Sequence, residues 1–284
     1  MNERSQDARE GVDPGEDTDG APTVDHAPDS ATEGGTWDLR RGTWRTKLVD
    51  VECDSLITDP PYGPRTHLGY RTARDGDEGS IARRTGIMRY APLRPVDVKA
   101  LADWADVHVR RWVVLFGDDV TAQWWKAAFE KRGWYTFRPL PWIKRGACPR
   151  FTGDGPSSDS ESIVVARRTG IRDGAKPGHY ITGRVEGATN GSLIVGQKPL
   201  ALMCALVRDY SRPGDVIVDP HAGSGTTLLA ATIEGRRCIG AERDPETHAL
   251  AMRRLAKGHT PSMFAAPDAD TGNKETAWQL ELTR

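Results

Sequence analysis

The stretch that most constrains this chain is Val216-Ile217-Val218 followed by Asp219-Pro220-His221-Ala222-Gly223-Ser224-Gly225-Thr226-Thr227. It reads as a buried strand, a tight turn and the start of a helix. Gly223 and Gly225 permit positive φ and let a ligand approach the backbone. In an open α/β sheet such a turn, at the carboxyl end of a strand, is where a nucleotide-like ligand binds.

The rest of the chain alternates in the same way. Strands are expected at 55–58, 111–116, 216–218 and 237–241, with extended segments at 134–143 and 161–167. Helices are expected at 96–109, 119–131, 197–210, 225–234 and 245–257. This alternation predicts a doubly wound, mostly parallel α/β sheet with helices on both faces. Two stretches interrupt it, 63–94 and 146–196. Residues 1–35 lack aromatic residues, Ile and Leu, so they cannot bury enough surface to offset ordering entropy and are expected to form a disordered acidic tail. Residues 258–284 read as a mostly flexible tail, although Trp278, Leu280 and Leu282 alternate as an edge strand would.

The turn selects among cofactors. A phosphate-cradling loop needs Lys after its last Gly, where Thr226 stands. The dinucleotide fingerprint needs a third Gly where Leu228 stands, which also argues against a dehydrogenase. An acid at the strand end, Asp219, suits a zwitterionic amino acid or a sulfonium better than a pyrophosphate. About twenty residues later Cys238-Ile239-Gly240-Ala241-Glu242-Arg243-Asp244 places Glu242 at the end of the next strand, where a carboxylate can accept both hydroxyls of a ribose.

A second signal is Leu56-Ile57-Thr58-Asp59-Pro60-Pro61-Tyr62. Adjacent prolines remove two backbone donors, so the segment presents carbonyls without competing N–H groups. The Asp59 side chain and the Pro60 carbonyl can accept two hydrogen bonds from an exocyclic NH₂, drawing its lone pair out of conjugation and towards an electrophilic methyl. Tyr62 offers a face on which an extruded base can stack. Taken alone, an Asp-Pro turn is more often a structural loop; its place after a hydrophobic strand, beside the first signal, favours chemistry.

On these residues the chain resembles the amino-methyltransferases of DNA in the permuted β-class order, with Asp-Pro-Pro-Tyr first and the cofactor motif last. Gly196-Gln197-Lys198-Pro199-Leu200 and Arg212-Pro213-Gly214-Asp215 are similar to further family segments, and the likeness spans 36–257. The resemblance implies a Rossmann-like methyltransferase domain over 36–257, with target-recognition insertions at about 63–94 and 146–196. It implies S-adenosyl-L-methionine as cofactor, held by Asp219, Pro220, His221, Gly223, Ser224, Gly225, Thr226, Glu242 and Arg243. Lys198 and Pro199 would lie near its methionine end, and Asp38 at an adenine-side acidic position. Asp59, Pro60, Pro61 and Tyr62 would be catalytic, with no metal and no covalent intermediate. His221 stands where the family usually has Phe.

The expected activity is methyl transfer to N6 of adenine in double-stranded DNA. Transfer to N4 of cytosine uses the same scaffold, with Ser more often at the Asp59 position. An RNA or protein-amide methyltransferase, or an inactive DNA-binding relative, are further alternatives. The resemblance leaves room for a cognate restriction endonuclease and for a homodimer.

Charge fits a polyanionic partner. The net charge is −1, but residues 1–35 hold ten Asp/Glu against two Arg, and the remainder holds 37 Lys/Arg against 30 Asp/Glu. Seven Arg within 63–94 suit either a loop closing over DNA or a solvated one, and Lys144, Arg145 and Arg150 suit target-strand contacts. Trp142, Phe151, Trp124 and Trp125 read more readily as packing residues. Four scattered cysteines, Cys53, Cys148, Cys204 and Cys238, argue against disulfides and zinc, and none forms a Pro-Cys pair for attack on cytosine carbon 6. No apolar run reaches membrane-spanning length, so a cytoplasmic protein without a membrane partner is expected.

Overall fold

The computed structural model of the chain describes residues 36–64, 91–145, 159–183 and 196–258. The acidic N-terminal tail, residues 65–90 of the first expected insertion, residues 146–158 and 184–195 of the second (Arg150 and Phe151 among them), and the alternation at Trp278, Leu280 and Leu282 lie outside the described residues, whereas 159–183 of the second insertion are described and join the sheet.

The elements in chain order are β1 (Trp37–Arg41), α1 (Trp44–Lys47), β2 (Cys53–Thr58), α2 (Pro95–His108), β3 (Val109–Gly117), α3 (Asp119–Glu130), β4 (Tyr135–Thr136), β5 (Leu140–Lys144), β6 (Ser160–Arg167), β7 (Tyr180–Thr182), α4 (Leu200–Tyr210), β8 (Val216–Asp219), α5 (Thr226–Ile233), β9 (Arg237–Glu242) and α6 (Pro245–Lys257). They build one sheet in the order β1-β9-β8-β2-β3-β6-β5-β7, with β4 also paired to β6. Strands β1, β9, β8, β2 and β3 are parallel, and β7 is parallel to β5. Strand β6 runs antiparallel to its three neighbours β3, β4 and β5.

The alternation of side chains along the central strands divides the core in two. Trp112, Val114 and Phe116 of β3 pack with Ile57, Ile217 and the inner faces of α4, α5 and α6. Val113 and Leu115 point the other way, to Leu56, Val218 and helices α1, α2 and α3. Each central strand is covered on both faces, which is why these segments read as unbroken apolar runs.

Several details depart from the expectation. The 134–143 segment is two strands, β4 and β5, separated by Phe137–Pro139; a proline cannot donate to a ladder. The helix expected at 197–210 begins only at Leu200, with Pro199 as its N-cap in an extended conformation (φ −58°, ψ 136°). A residue before proline is driven out of the α region, so Lys198 sits in an extended lead. Strands β1 and β7 were not foreseen: only Leu39 of β1 and Tyr180 of β7 are buried, too few residues to mark a strand by periodicity.

Strand β8 leads through α5 to β9 on one side of the sheet, while β2 leads through α2 to β3 on the other. The carboxyl ends of β8 and β2 therefore flank a topological switch point, where an open α/β sheet forms a ligand crevice.

Candidate active site

A cleft of about 1070 Å³ opens there, at the upper end of the range for ligand pockets. Its walls include Asp59, Pro60, Pro61 and Tyr62 from the loop after β2, and Asp219, Pro220, His221, Gly223, Ser224 and Thr226 from the turn after β8. Glu242 and Arg243 at the end of β9 and Lys198 ahead of α4 complete the set. Two motifs separated by 160 residues thus face one space. They are tied directly: Thr58 Oγ1 donates to Asp219 Oδ1 at 2.6 Å across the β2–β8 seam.

Asp219 is buried, and its Oδ1 also accepts the His221 N–H at 3.0 Å. Burial pushes its carboxyl up to about 6, against the pull of the Thr227 and Thr58 hydroxyls and the His221 amide. Glu242 caps the turn beside it: the Gly223 N–H donates to Oε2 at 2.9 Å and the Asp244 N–H to Oε1 at 2.8 Å. Each oxygen keeps a second lone pair for a further donor. Gly225 has φ 76° and forms the left-handed N-cap of α5; an added Cβ would lie 3.2 Å from Leu255 Cδ1. The backbone therefore turns here with nothing projecting beyond it. Burial, then Arg243 and Arg45, hold the His221 imidazole down at about 3, so it stands neutral at physiological pH.

The catalytic turn is organised by Lys198. Its Nζ donates to Asp59 Oδ2 at 2.7 Å and to Tyr62 Oη at 3.1 Å, and lies 3.3 Å from Glu161 Oε2. Tyr62 Oη donates to Glu161 Oε2 at 2.5 Å, and Lys144 Nζ to Glu161 Oε1 at 3.0 Å. Burial raises the Asp59 carboxyl to about 6, although Lys198 draws it down. Burial also opposes ionisation of Glu161, but Lys198, Lys144 and the Tyr62 hydroxyl outweigh it and hold the carboxyl down at about 2. Lys198 feels the same burial, but its two carboxylate neighbours raise it and keep it an ammonium.

One atom stands out. Asp59 Oδ1 is buried and has no hydrogen-bond partner among the described residues. Its other oxygen is committed to Lys198. A buried acceptor without a donor is costly, so this oxygen suits a donor arriving from the cleft.

The remaining expected residues are placed differently. Asp38 is on β1, bonded to Arg40 Nε at 2.9 Å, and is not among the residues lining the cleft. Pro199 acts through the backbone, as the cap that frees Lys198. Trp142 is buried core, and Trp124 packs against the other core half. Trp125 is buried too, but it also reaches the cleft wall. The sequence reading passed over Thr58, Glu161 and the site contact of Lys144. Glu161 had one signal: it shares strand parity with the inward-facing Ile163 and Val165, an acid on the core side of a strand. Among the described residues no group of three or more His, Cys, Asp or Glu could hold a metal ion, and no helix is long and apolar enough to cross a membrane.

A mainly parallel sheet with this cleft at its switch point, walled by a glycine-rich turn and an acid at the next strand end, defines a Rossmann-like fold of the methyltransferase type. The chain belongs to the N6/N4 DNA methylase family, whose model matches residues 54–253. It is 28% identical over 176 residues, 57% of its own length and 59% of the relative's, to type II methyltransferase M.XycI of Xanthomonas campestris pv. cyanopsidis. The chain spans about half the length of the first curated relatives it matches. Among solved structures, the M1.HpyAVI–SAM complex aligns with TM-score 0.57 at 21% identity, over 77% of this chain and 98% of that one. The cytosine-N4-specific PvuII DNA methyltransferase aligns with TM-score 0.57 at 14% identity, over 77% and 86%.

Proposed function

We propose that this protein transfers a methyl group from S-adenosyl-L-methionine to N6 of adenine in double-stranded DNA. The observation that carries the reading is Asp59 Oδ1, a buried acceptor without a partner among the described residues, on a residue that lines the cleft. An exocyclic amine supplies the missing donor. With the Pro60 carbonyl as second acceptor, both amine hydrogens are engaged and the nitrogen lone pair is left free for the methyl. Tyr62, whose hydroxyl is tethered to Glu161, gives the base a fixed face to stack on.

The cofactor fits the residues present. Glu242 retains acceptor capacity for a ribose diol at the end of β9, the backbone at Gly223 and Gly225 allows close approach, and Asp219 and Asp59 give the cleft the negative character a sulfonium requires. Bound there, S-adenosyl-L-methionine supplies an already electrophilic methyl. The protein's own residues orient the amine, exclude water and hold the charge pattern still, and positioning of this kind accounts for large rate factors. The proton released from the amine goes to Asp59 or to water. The likenesses to type II methyltransferase M.XycI and to the M1.HpyAVI–SAM complex support the methyl-transfer and cofactor parts of the reading.

Cytosine N4 is the second reading, because the amine contacts named above read only an NH₂, which both bases carry. The fold likeness to the PvuII enzyme is consistent with it. Asp59, rather than Ser, at the head of the motif favours adenine.

The test is transfer of labelled methyl to mixed-sequence duplex DNA, followed by digestion and nucleoside identification. Label in N6-methyladenine is expected. Label in N4-methylcytosine would move the target and keep the mechanism, and cofactor binding with no label in DNA would overturn the assignment.

A further inference from the structure

We propose that Glu161 is a positioning residue for this reaction: it anchors Tyr62 through its hydroxyl and shares the Lys198 ammonium with Asp59. The amine-binding oxygen of Asp59 and the stacking face of Tyr62 are thereby held in register. The inference rests on the methyl-transfer reading above and deepens it.

The geometry is that of a hub. Glu161 opens the inward-facing row of β6, the reversed strand, whereas Asp59 and Tyr62 follow β2 and Lys198 precedes α4. Its Oε2 takes the Tyr62 hydroxyl at 2.5 Å and faces Lys198 at 3.3 Å, while Oε1 takes Lys144 from β5 at 3.0 Å. Two carboxylates and two ammonium groups alternate through four separate chain segments. The Lys198 ammonium also lies 4.9 Å from the Phe116 ring centre and 5.7 Å from that of Trp142, so the network is packed against aromatic core. A hydrogen-bonded charge network of this kind favours one arrangement, and loss of one member leaves the others short of a partner.

Two oxygens of Asp59 must do different things. One must stay on Lys198 so that the other points at the amine. With Glu161 ionised, Lys198 is divided between two carboxylates. With Glu161 neutral, the ammonium would turn wholly to Asp59 and compete for both of its oxygens, while Tyr62 would lose its charged acceptor.

The charged groups that act on Asp59 give the test its sign. Lys198, ahead of α4, lowers its carboxyl; Glu161 on β6 and Asp219 at the end of β8 raise it. Lys144 acts on the far side of Glu161. Removing the Glu161 charge therefore moves the Asp59 titration downwards, and removing Lys198 moves it upwards.

The experiment measures single-turnover methyl transfer to duplex DNA by the full chain, across about pH 5–8, for the wild type, Glu161→Gln and Lys198→Met. Cofactor affinity and thermal midpoint are followed in parallel. Glu161→Gln is expected to lose at least about tenfold in rate, since a small misplacement at the reacting atoms is costly. Cofactor affinity should hold, the acid limb should shift to lower pH, and Lys198→Met should shift it the other way. Paired with Tyr62→Phe, Glu161→Gln should cost less than the product of the two single effects, as for residues in one network. A Glu161→Gln protein with the wild-type rate overturns the proposal. So does one whose rate and thermal midpoint fall together with an unshifted limb, which is a structural role only. If the wild type itself moves no methyl to DNA, the methyl-transfer reading falls and this proposal falls with it.

Discussion

Asp59 carries two opposed demands. It must be ionised to accept the amine, yet it is half-buried near two other carboxylates, Glu161 and Asp219, and among the described residues Lys198 offsets them. Its carboxyl stands at about 6, so the fraction of competent enzyme falls as pH drops through that value. Methyl transfer is accordingly expected to rise from acid pH, half-developed near pH 6, and to level off above it; a pH–rate profile with saturating substrates checks this. Asp59→Ala removes both the acceptor and the partner of Lys198. It should lower transfer by about 10²–10³, the usual cost of one donor or acceptor aligned to a transition state, while duplex affinity in a filter or anisotropy assay stays within a few-fold. Asp59, Tyr62, Asp219 and Glu242 were legible in the sequence because each sits at the end of an apolar strand, where a polar side chain has a ligand or a cap as its reason to be there. Glu161 was not, because its partners come from three other segments, and only the folded sheet brings them within 3.3 Å. Asp38 lies outside the cleft lining for the converse reason: an acid in a short polar strand found a local partner in Arg40.

At the scale of elements, the site depends on two backbone features, one that allows no ordinary side chain and one that allows no continued helix. Gly225 turns the chain from β8 into α5 at φ 76°, with Leu255 and Ala251 of α6 closed over the space a Cβ would take. Gly225→Ala is expected to lower stability by about 1–2 kcal/mol from backbone strain, with further loss from displacing Leu255. A denaturant midpoint measures the first effect, and weakened cofactor binding at a temperature where the variant is folded reports the shifted turn. Pro199 is the second, since it stops α4 from extending back over Lys198. The parallel half of the sheet was readable because strands β2, β3, β8 and β9 are apolar on both faces and their helices carry clear periods. The antiparallel half was less so. Strands β4 and β7 have two and three residues, and their pairing with β6 and β5 is decided by the sheet edge rather than by any pattern of their own.

For the whole molecule the deciding quantity is the distribution of charge. The net charge of −1 conceals ten acids and two arginines in residues 1–35, against an excess of seven basic residues in the remainder. A duplex approaching the cleft meets a body of opposite sign, tethered to a segment of its own sign. If the first 35 residues act only through charge, their removal takes away repulsion and competition for the basic surface without touching the site. Deleting residues 1–35 should then raise duplex affinity several-fold at about 50 mM salt, and the gain should fade towards about 300 mM as the screening length shortens. A gain confined to low salt steepens the fall of log K with log salt on deletion, because the acidic segment no longer opposes the duplex where screening is weak. Equal affinity of the full and shortened chains at low salt would mean that the acidic segment keeps clear of the duplex, and that the basic body alone sets the encounter.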